Sequence, residues 1–312
     1  MREPFAADQR ASCRMARSSR GLRSYSRERG EIVLRLWLLA AVIVSGLAFV
    51  GPGSAITGNP VPTGDNYNYV VNLAFYNSGV YAGRCTGTML SSTVVLTAAH
   101  CASSPAATAS SATVWADAGP IQNGNYPFDG ISPCTGYTGY PCTGYDAASS
   151  SLFIYPCYDF YIDFPPSCDA AIIVLDHPFP RSTYGQLPEA NFLDTLATQR
   201  GLQDITFTLV GYGLQSVKPV ESALRERFMT TAQLVTIRSH LTGGGDDVQL
   251  TQDPGRGMGG TCEGDSGAPA FYDATTTVTA ISAFGMNPNC AGAGWYLRID
   301  QPDVLTWIES FL

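Results

Sequence analysis

Lysine is nearly absent from this sequence, since the 312 residues contain only Lys218. Arginine supplies the rest of the 18 basic residues, against 26 acidic ones, and nine arginines fall within the first 55 residues. Residues 56–312 therefore keep 9 basic and 22 acidic side chains, a net charge near −13. This charge repels phosphate groups and argues against nucleic acid or an anionic membrane as a partner. The simplest interpretation of the charge is solubility outside the cell.

The sequence also lacks any Cys-x-x-Cys pair, a spacing typical of zinc sites, and its three histidines are widely separated. We therefore expect no metal. Of nine cysteines, Cys13 lies within the arginine-rich first 55 residues. The even number that is left predicts disulfides in an exported chain. These eight are Cys85, Cys101, Cys134, Cys142, Cys157, Cys168, Cys262 and Cys290.

Residues 1–55 have the three parts of a secretory signal peptide: a basic region, an apolar run at 36–50, and small residues at 51–55. An apolar run of this length is short for a membrane span, which needs roughly 18 residues or more. If residues 32–34 are added across Arg35, a signal anchor is the alternative. We expect a secreted protein that has no stable membrane association after signal cleavage.

Beyond residue 55 the pattern is that of an all-β protein. Short apolar runs such as 70–75, 94–96 and 205–210 are separated by clusters of Gly, Pro, Asn and Asp, as in sandwiches or barrels. One helix is predicted at residues 302–312, where the apolar positions form a single stripe. The proline-rich stretch that begins at residue 178 predicts a linker. We divide the chain into β halves at 56–177 and 201–312, joined by a linker at 178–200.

Residues 120–167 form a long segment rich in Gly, Tyr and Pro, with the triplet Thr-Gly-Tyr three times. A loop this long inside a compact domain is either functional or held by cross-links. The segment is therefore an aromatic rim that contacts substrate, or a surface insertion held by Cys134–Cys142 and Cys157–Cys168. Four cysteines allow three connectivities, so this pairing stays open.

Three motifs bring together the parts of a nucleophilic site. Residues 264–269, Gly-Asp-Ser-Gly-Ala-Pro, place Ser266 between glycines in a tight turn. A serine hydroxyl needs an adjacent base and an orienting carboxylate. His100 follows an apolar strand and precedes Cys101, and Asp169 precedes the apolar run 170–175. The order His, Asp, Ser excludes an α/β-hydrolase, which has the order Ser, Asp, His and the motif Gly-x-Ser-x-Gly.

In these motifs the chain resembles the secreted serine proteases of the chymotrypsin/trypsin family, over nearly all of residues 56–312. The resemblance implies two antiparallel six-stranded β-barrels with the site in the cleft between them and a C-terminal α-helix. It implies that Ser266 attacks the peptide bond, His100 transfers the proton and Asp169 orients the imidazole. It assigns the backbone N–H groups of Gly264 and Ser266 to the oxyanion hole. The substrates would be polypeptides, and no cofactor is needed.

The resemblance extends to cross-links and to activation. It pairs Cys85 with Cys101, and Cys262 with Cys290. Residues 56–59, Ile-Thr-Gly-Asn, are similar to the Ile-Val-Gly-Gly start of active family members, whose freed amine pairs with the aspartate before the nucleophile. That pair would be Ile56 and Asp265 here. Small residues before Ile56 suit signal peptidase, so we expect export itself to create this amine.

Two departures from the family pattern are Asn59, in place of a glycine, and the insertion at 120–167. The cysteines of the usual disulfide in the second barrel are also missing.

Alignment on Ser266 places three glycines in the specificity pocket: Gly260 at its base, and Gly285 and Gly294 in its walls. A pocket without a charge has no strong preference for Lys or Arg. We therefore expect large apolar or aromatic residues before the scissile bond. Two alternatives remain: a processing protease of narrow specificity whose insertion selects one partner, and a non-catalytic binding module on the same fold.

Overall fold

The structure is a computed structural model. It describes residues 56–104, 108–116, 118–119, 121, 145–159, 168–197, 204–219, 221–222, 224, 226–238, 245–253 and 257–312. The predicted leader, residues 1–55, lies outside these residues, as do Cys134, Cys142 and most of the predicted insertion. Two antiparallel sheets account for the described strands.

The first sheet closes into a barrel of six strands. Its strand segments are β2 (Val70–Asn77), β3 (Val80–Met89), β4 (Val94–Thr97), β5 (Ser111–Trp115), β6 (Ala147–Ser149), β7 (Ser151–Ile154) and β8 (Ala171–Val174). They follow the order β6-β5-β2-β3-β4-β8-β7. Only Ser150 separates β6 from β7, so the two segments are halves of one bent strand. Because one half pairs with β5 and the other with β8, the bent strand joins the two edges of the sheet.

The second sheet closes in a different way. It contains β1 (Val61–Pro62), β9 (Thr206–Gly211), β10 (Phe228–Thr236), β11 (Asp247–Gln252), β12 (Pro269–Tyr272), β13 (Val278–Gly285) and β14 (Gly292–Arg298). Their order is β1-β10-β11-β14-β13-β12-β9, and β10 also pairs with β9. That pairing makes a ring of six strands, to which the two-residue strand β1 is added at β10. The predicted all-β fold of two six-stranded barrels is confirmed.

Alternating side chains fix the inner face of strand β10. Phe228, Thr230, Ala232 and Leu234 are buried, whereas the residues between them are partly or fully exposed. Strand β4 differs. It lies between β3 and β8 in the sheet, and all four of its side chains, on both faces, are buried. Its sequence Val-Val-Leu-Thr is accordingly a continuous apolar run closed by one threonine. These patterns are the ones expected for a strand covered on one face and for a strand covered on both.

Three short helices complete the described fold: α1 (Ala99–Ala102), α2 (Phe192–Ala197) and α3 (Pro302–Glu309). Proline at the first position of α3 is compatible with the start of a helix, because the amide of that position has no partner within the helix. Helix α3 follows the last strand of the second barrel but packs on the first, where the Trp307 ring lies 5.0 Å from the Tyr155 ring. The predicted C-terminal helix is confirmed. Within the described residues, no helix is both long and apolar enough to cross a membrane.

Three disulfides join described cysteines: Cys85–Cys101, Cys157–Cys168 and Cys262–Cys290. The first links β3 to helix α1. The last links the turn before β12 to the turn before β14. Both of these bonds therefore hold segments that border the sequence motifs of His100 and Ser266.

The buried side chain of Arg227 joins segments of both barrels. Only 1% of this residue is exposed, and its guanidinium donates five hydrogen bonds, all to neutral oxygens. The acceptors are the Thr63 hydroxyl, the Gly64, Val70 and Ala116 carbonyls, and the Tyr212 hydroxyl, at 2.9–3.3 Å. Since Val70 and Ala116 belong to the first barrel and Tyr212 follows β9, this guanidinium fixes the two barrels relative to each other.

We expect Arg227→Met to lower the free energy of unfolding by about 3 kcal/mol or more, because buried oxygens lose their donor. Urea unfolding measures the change. Arg238→Met is the control, since Arg238 is exposed and pairs with Asp194 at 3.2 Å. An exposed pair of this kind contributes about 1 kcal/mol or less. Equal losses for the two variants would contradict the role assigned to Arg227.

Candidate active site

His100 and Asp169 come together through the pairing of two strands. Strand β4 runs antiparallel to β8, with Thr97 opposite Ala171, so the residues that follow β4 lie beside those that precede β8. One carboxylate oxygen of Asp169 lies 2.6 Å from Nδ1 of His100, and the other accepts the His100 backbone N–H at 2.8 Å. Asp169 is fully buried. Two bonds from one carboxylate therefore fix both the ring and the backbone of the histidine.

The buried carboxylate also determines the protonation of the imidazole. An ionised carboxylate only accepts hydrogen bonds, so Nδ1 carries a proton and Nε2 is left for chemistry. Burial lowers the pKa of His100, but the charge of Asp169 and its hydrogen bond raise the pKa by more, so it lies above its ordinary value. About 25% of the histidine side chain remains exposed. The imidazole is thus oriented by Asp169 at Nδ1, and part of the ring remains accessible to solvent.

Ser266 lies in a turn that two glycines make possible. The Asp265 N–H donates to the Cys262 carbonyl at 2.9 Å, and the Ala268 N–H donates to the Asp265 carbonyl at 2.8 Å. Gly264 and Gly267 have φ angles of +93° and +79°, in the region that favours glycine. A side chain at Gly267 would also overlap the Thr97 hydroxyl. The turn is therefore shaped by its own sequence and by its contact with β4.

Thr86 connects this turn to the first barrel, and nothing in the sequence singled it out. Its N–H donates to the Ser266 carbonyl at 2.9 Å, and its hydroxyl donates to the Gly264 carbonyl at 3.0 Å. The same hydroxyl accepts the Tyr212 N–H at 3.1 Å, and the Thr86 carbonyl accepts the Thr97 hydroxyl at 2.8 Å. Thr86 is fully buried. One threonine thus holds the carbonyls on both sides of Asp265 against strand β3.

Two of the three predicted catalytic side chains line one cavity, and the third lies behind it. His100 and Ser266 both line it, together with Gly264, and Asp169 contacts His100 from behind. The disulfide Cys85–Cys101 forms part of the same wall. Two of these side chains belong to the first barrel and Ser266 belongs to the second, so the cavity lies between the barrels.

The predicted oxyanion donors belong to residues that line the cavity of His100. Within the described part of the chain, the backbone N–H groups of Gly264 and Ser266 donate to no other protein group. Both residues line the cavity that contains His100. An N–H pair without a protein acceptor is what the stabilisation of a developing oxyanion requires.

Asp265 is buried directly beside the predicted nucleophile. Its two carboxylate oxygens accept the Gly213 N–H at 2.7 Å and the Cys262 N–H at 3.0 Å. Burial raises the pKa of Asp265 to about 7, although the two N–H groups and the charge of Arg84 oppose this shift. Ile56, the predicted partner, is itself buried, but no described hydrogen bond joins it to Asp265. The predicted ion pair would need the amine that only cleavage before Ile56 creates.

The three predicted pocket glycines surround one side chain, Gln252 at the end of β11. A Cβ on Gly260 would overlap the Gln252 side chain, and a Cβ on Gly294 would lie 3.0 Å from its Nε2. Gln252 and Gly285 both line a second cavity, which Ser266 also borders. The pocket glycines therefore have a polar neighbour, and the preference for large apolar or aromatic residues stays a prediction. The space that the glycines leave is occupied by a glutamine, which sequence alignment on Ser266 had no means of locating.

Within the described residues, one group of three potential metal ligands occurs: Cys85, His100 and Cys101. The two sulfurs are joined in a disulfide and offer no thiolate, and Nδ1 of His100 is bonded to Asp169. This group therefore does not have the ligands of a metal site.

Comparison with known proteins agrees with this geometry. The family model described as Trypsin matches residues 55–148, a segment that includes His100. A solved structure titled HL collagenase is 16% identical, with a TM-score of 0.56, over 81% of this chain and 96% of that chain. At that identity the likeness shows the fold. A search of curated proteins finds no match.

The family match and the double-barrel fold support a serine protease of the trypsin family. They support, more specifically, a serine endopeptidase.

We expect Thr86→Val to lower kcat by about 10- to 100-fold, because the turn of Ser266 loses the bond from the Thr86 hydroxyl to the Gly264 carbonyl and keeps only the backbone bond to β3. Stability should fall by about 1–3 kcal/mol, since buried polar groups lose their partner. Thr88→Val is a matched control on the same strand, because the buried Thr88 hydroxyl has no partner among the described residues. That control should keep its activity and its stability. Steady-state kinetics and urea unfolding test both variants, and similar effects in the two would contradict the role of Thr86.

Proposed function

We propose that this chain is a secreted serine endopeptidase with the catalytic triad His100, Asp169 and Ser266. The observation that carries the proposal is the pair of hydrogen bonds between the Asp169 carboxylate and His100. His100 and Ser266 also line one cavity. A buried carboxylate that fixes the tautomer of a partly exposed imidazole beside a serine is the arrangement that activates a hydroxyl nucleophile.

The first half of the reaction forms an acyl-enzyme. Nε2 of His100 takes the proton of the Ser266 hydroxyl as Oγ attacks the peptide carbonyl. The N–H groups of Gly264 and Ser266 stabilise the oxyanion of the tetrahedral intermediate. The imidazolium then protonates the leaving amine, and the peptide bond breaks. Water repeats the sequence in the second half and releases the acid.

The charge pair of His100 and Asp169 sets the pH range of this chemistry. His100 accepts the proton only while Nε2 is unprotonated. Catalysis therefore requires a pH above the raised pKa of the histidine. The adjacent Asp169 charge stabilises the imidazolium that forms during the reaction. No cofactor takes part in any of these steps.

Secretion is proposed from the sequence and the cross-links. Residues 1–55 have the composition of a signal peptide, and the described part of the chain contains three disulfides. Disulfides of this kind form and persist in oxidising compartments. We therefore place the active protein outside the cell, with polypeptides as its substrates.

We expect the secreted protein to digest casein and to react with a fluorophosphonate probe at Ser266. Ser266→Ala should abolish both signals, and His100→Ala should lower turnover by about 10⁴-fold or more. His177→Ala, a change of an exposed histidine, is the control and should leave both unchanged. Labelling without casein digestion would favour a narrow processing protease. The absence of both in a folded protein would favour a binding module and contradict the proposed enzyme.

The buried Asp265 gives a test of activation by the Ile56 amine. In the full chain its pKa of about 7 exceeds its ordinary value, so the folded state binds a proton that the unfolded state releases. The free energy of unfolding should therefore fall, by a few kcal/mol at most, as pH rises from about 4 to 7. A chain that starts at Ile56 supplies an amine that keeps Asp265 ionised, and this fall should disappear.

Urea unfolding across this pH range, on the Ser266→Ala background, measures the two curves. Asp265→Asn in the full chain is the control, because it removes the titrating group and should also flatten the curve. Superimposable curves for the full chain and the Ile56 chain would show that the amine does not reach Asp265.

A further inference from the structure

The cavity beside Ser266 on the side of β11 has both polar and apolar lining residues. Gln252, Thr261 and Ser282 line it, along with Phe284 and Gly285. Gln252 is only 3% exposed, yet its side chain forms part of this wall. A large apolar residue entering this cavity would therefore meet an amide and hydroxyl groups.

The orientation of the Gln252 amide is fixed by one strong hydrogen bond. Its Nε2 donates to the Thr261 carbonyl at 2.6 Å. A carbonyl can only accept, so this bond determines which end of the amide carries the oxygen. Among the described residues, the buried Oε1 has no hydrogen-bond partner. It lies toward Gly285, where a Cβ would be 3.8 Å away, and Gly285 lines the cavity as well.

The glycines around Gln252 make room for this amide. A side chain at Gly260 would overlap Gln252, and one at Gly294 would press on Nε2. Glycine at these two positions therefore keeps the glutamine beside the pocket, and Gly285 has no side chain that would separate the buried Oε1 from the cavity. The pocket has an acceptor in place and lacks the donor that would satisfy it.

A chain of three hydroxyls includes those of Thr261 and Ser282, which line the same cavity. Ser282 donates to the Thr261 hydroxyl at 2.9 Å, and the Thr261 hydroxyl bonds with that of Tyr296 at 3.0 Å. Three hydroxyl protons share two internal bonds, so one proton is left over, on Thr261 or on Tyr296. When Tyr296 donates to Thr261, the proton of Thr261 is available at the cavity wall.

Charge narrows the choice of ligand. Glu263 is the ionisable residue among the described lining residues of this cavity, and it is exposed and also borders the cavity of His100. Because this carboxylate is exposed to solvent, it is a poor partner for a buried Lys or Arg, and buried charges require a partner. An apolar side chain would leave Oε1 unpaired. A neutral group that both donates and accepts hydrogen bonds fits these constraints.

We infer that Gln252 selects a primary carboxamide, the side chain of glutamine or asparagine, as the residue before the scissile bond. The side-chain NH₂ of the substrate donates to Oε1 of Gln252, and its carbonyl accepts the spare proton of the hydroxyl chain. This inference rests on the proposed function and replaces the preference for large apolar or aromatic residues.

Matched peptides that differ only in the residue before the scissile bond test the inference on the secreted protein. Glutamine should exceed its near-isostere methionine by at least about tenfold in kcat/KM, because a site built for a hydrogen bond rejects the analogue that lacks it. Asparagine should exceed leucine in the same way. Highest turnover of phenylalanine, leucine, lysine or arginine peptides would overturn the inference.

Variants of Gln252 separate its role from general damage. Gln252→Met should reverse the ratio of glutamine to methionine peptides, and Gln252→Glu should shift the preference toward lysine. Gln249→Met is the matched control, because Gln249 lies on the same strand outside the lining of the cavity. It should leave the ratios unchanged. Fluorophosphonate titration of each variant counts intact sites, and a ratio that survives Gln252→Met in labelled protein would overturn the role of Gln252.

A binding measurement keeps this test independent of catalysis. The Ser266→Ala protein should bind a product peptide that ends in glutamine at least about tenfold more tightly than one that ends in methionine. Calorimetry gives both dissociation constants. A wild-type protein that is not labelled by fluorophosphonate would refute the proposed enzyme, whereas equal binding of the two product peptides would refute the amide pocket.

Discussion

The hydrogen bonds of Thr86 are the contact on which the site depends. His100 and Asp169 are held by the pairing of β4 with β8 in the first barrel, whereas Ser266 lies in a turn of the second. Thr86 bonds to the carbonyls of Gly264 and Ser266 and so fixes that turn against β3. Strand β3 also pairs with β4, the strand that leads into His100. The position of Ser266 is therefore fixed relative to that of His100. The sheet of the first barrel thus determines the relative positions of His100, Asp169 and Ser266.

Buried polar groups, and not apolar contact alone, hold the two barrels in this relation. Arg227 reaches acceptors on both sides, and Thr86 of the first barrel bonds to Gly264, Ser266 and Tyr212 of the second. Such groups are expensive to bury without partners, so an altered arrangement of the barrels would leave several of them unsatisfied. This penalty favours one arrangement over many that would bury similar apolar area. Directional bonds therefore supply the precision that a catalytic cleft requires.

The fold could be predicted, and the candidate catalytic residues proposed, because each has a local signature. Ser266 lies between glycines, His100 follows an apolar strand and precedes a cysteine, and Asp169 precedes a buried run. Thr86 has no such signature, since Thr88 two residues later has the same side chain on the same strand and is equally buried. Only the approach of the Ser266 turn distinguishes the two threonines. That approach is a contact across more than 170 residues of chain, which sequence patterns do not encode.

The pocket shows how sequence patterns can locate glycines without locating the side chain that fills the space beside them. Gly260, Gly285 and Gly294 do leave space, but the space at Gly260 and Gly294 is taken by Gln252. The same glutamine bonds to the Thr261 carbonyl, and the next residue, Cys262, donates its N–H to Asp265. The proposed amide pocket and the turn of Ser266 therefore share one short segment, residues 261–266. A side chain that satisfies Gln252 also contacts the segment that orients the nucleophile, so binding energy in the pocket can act on the position of Ser266.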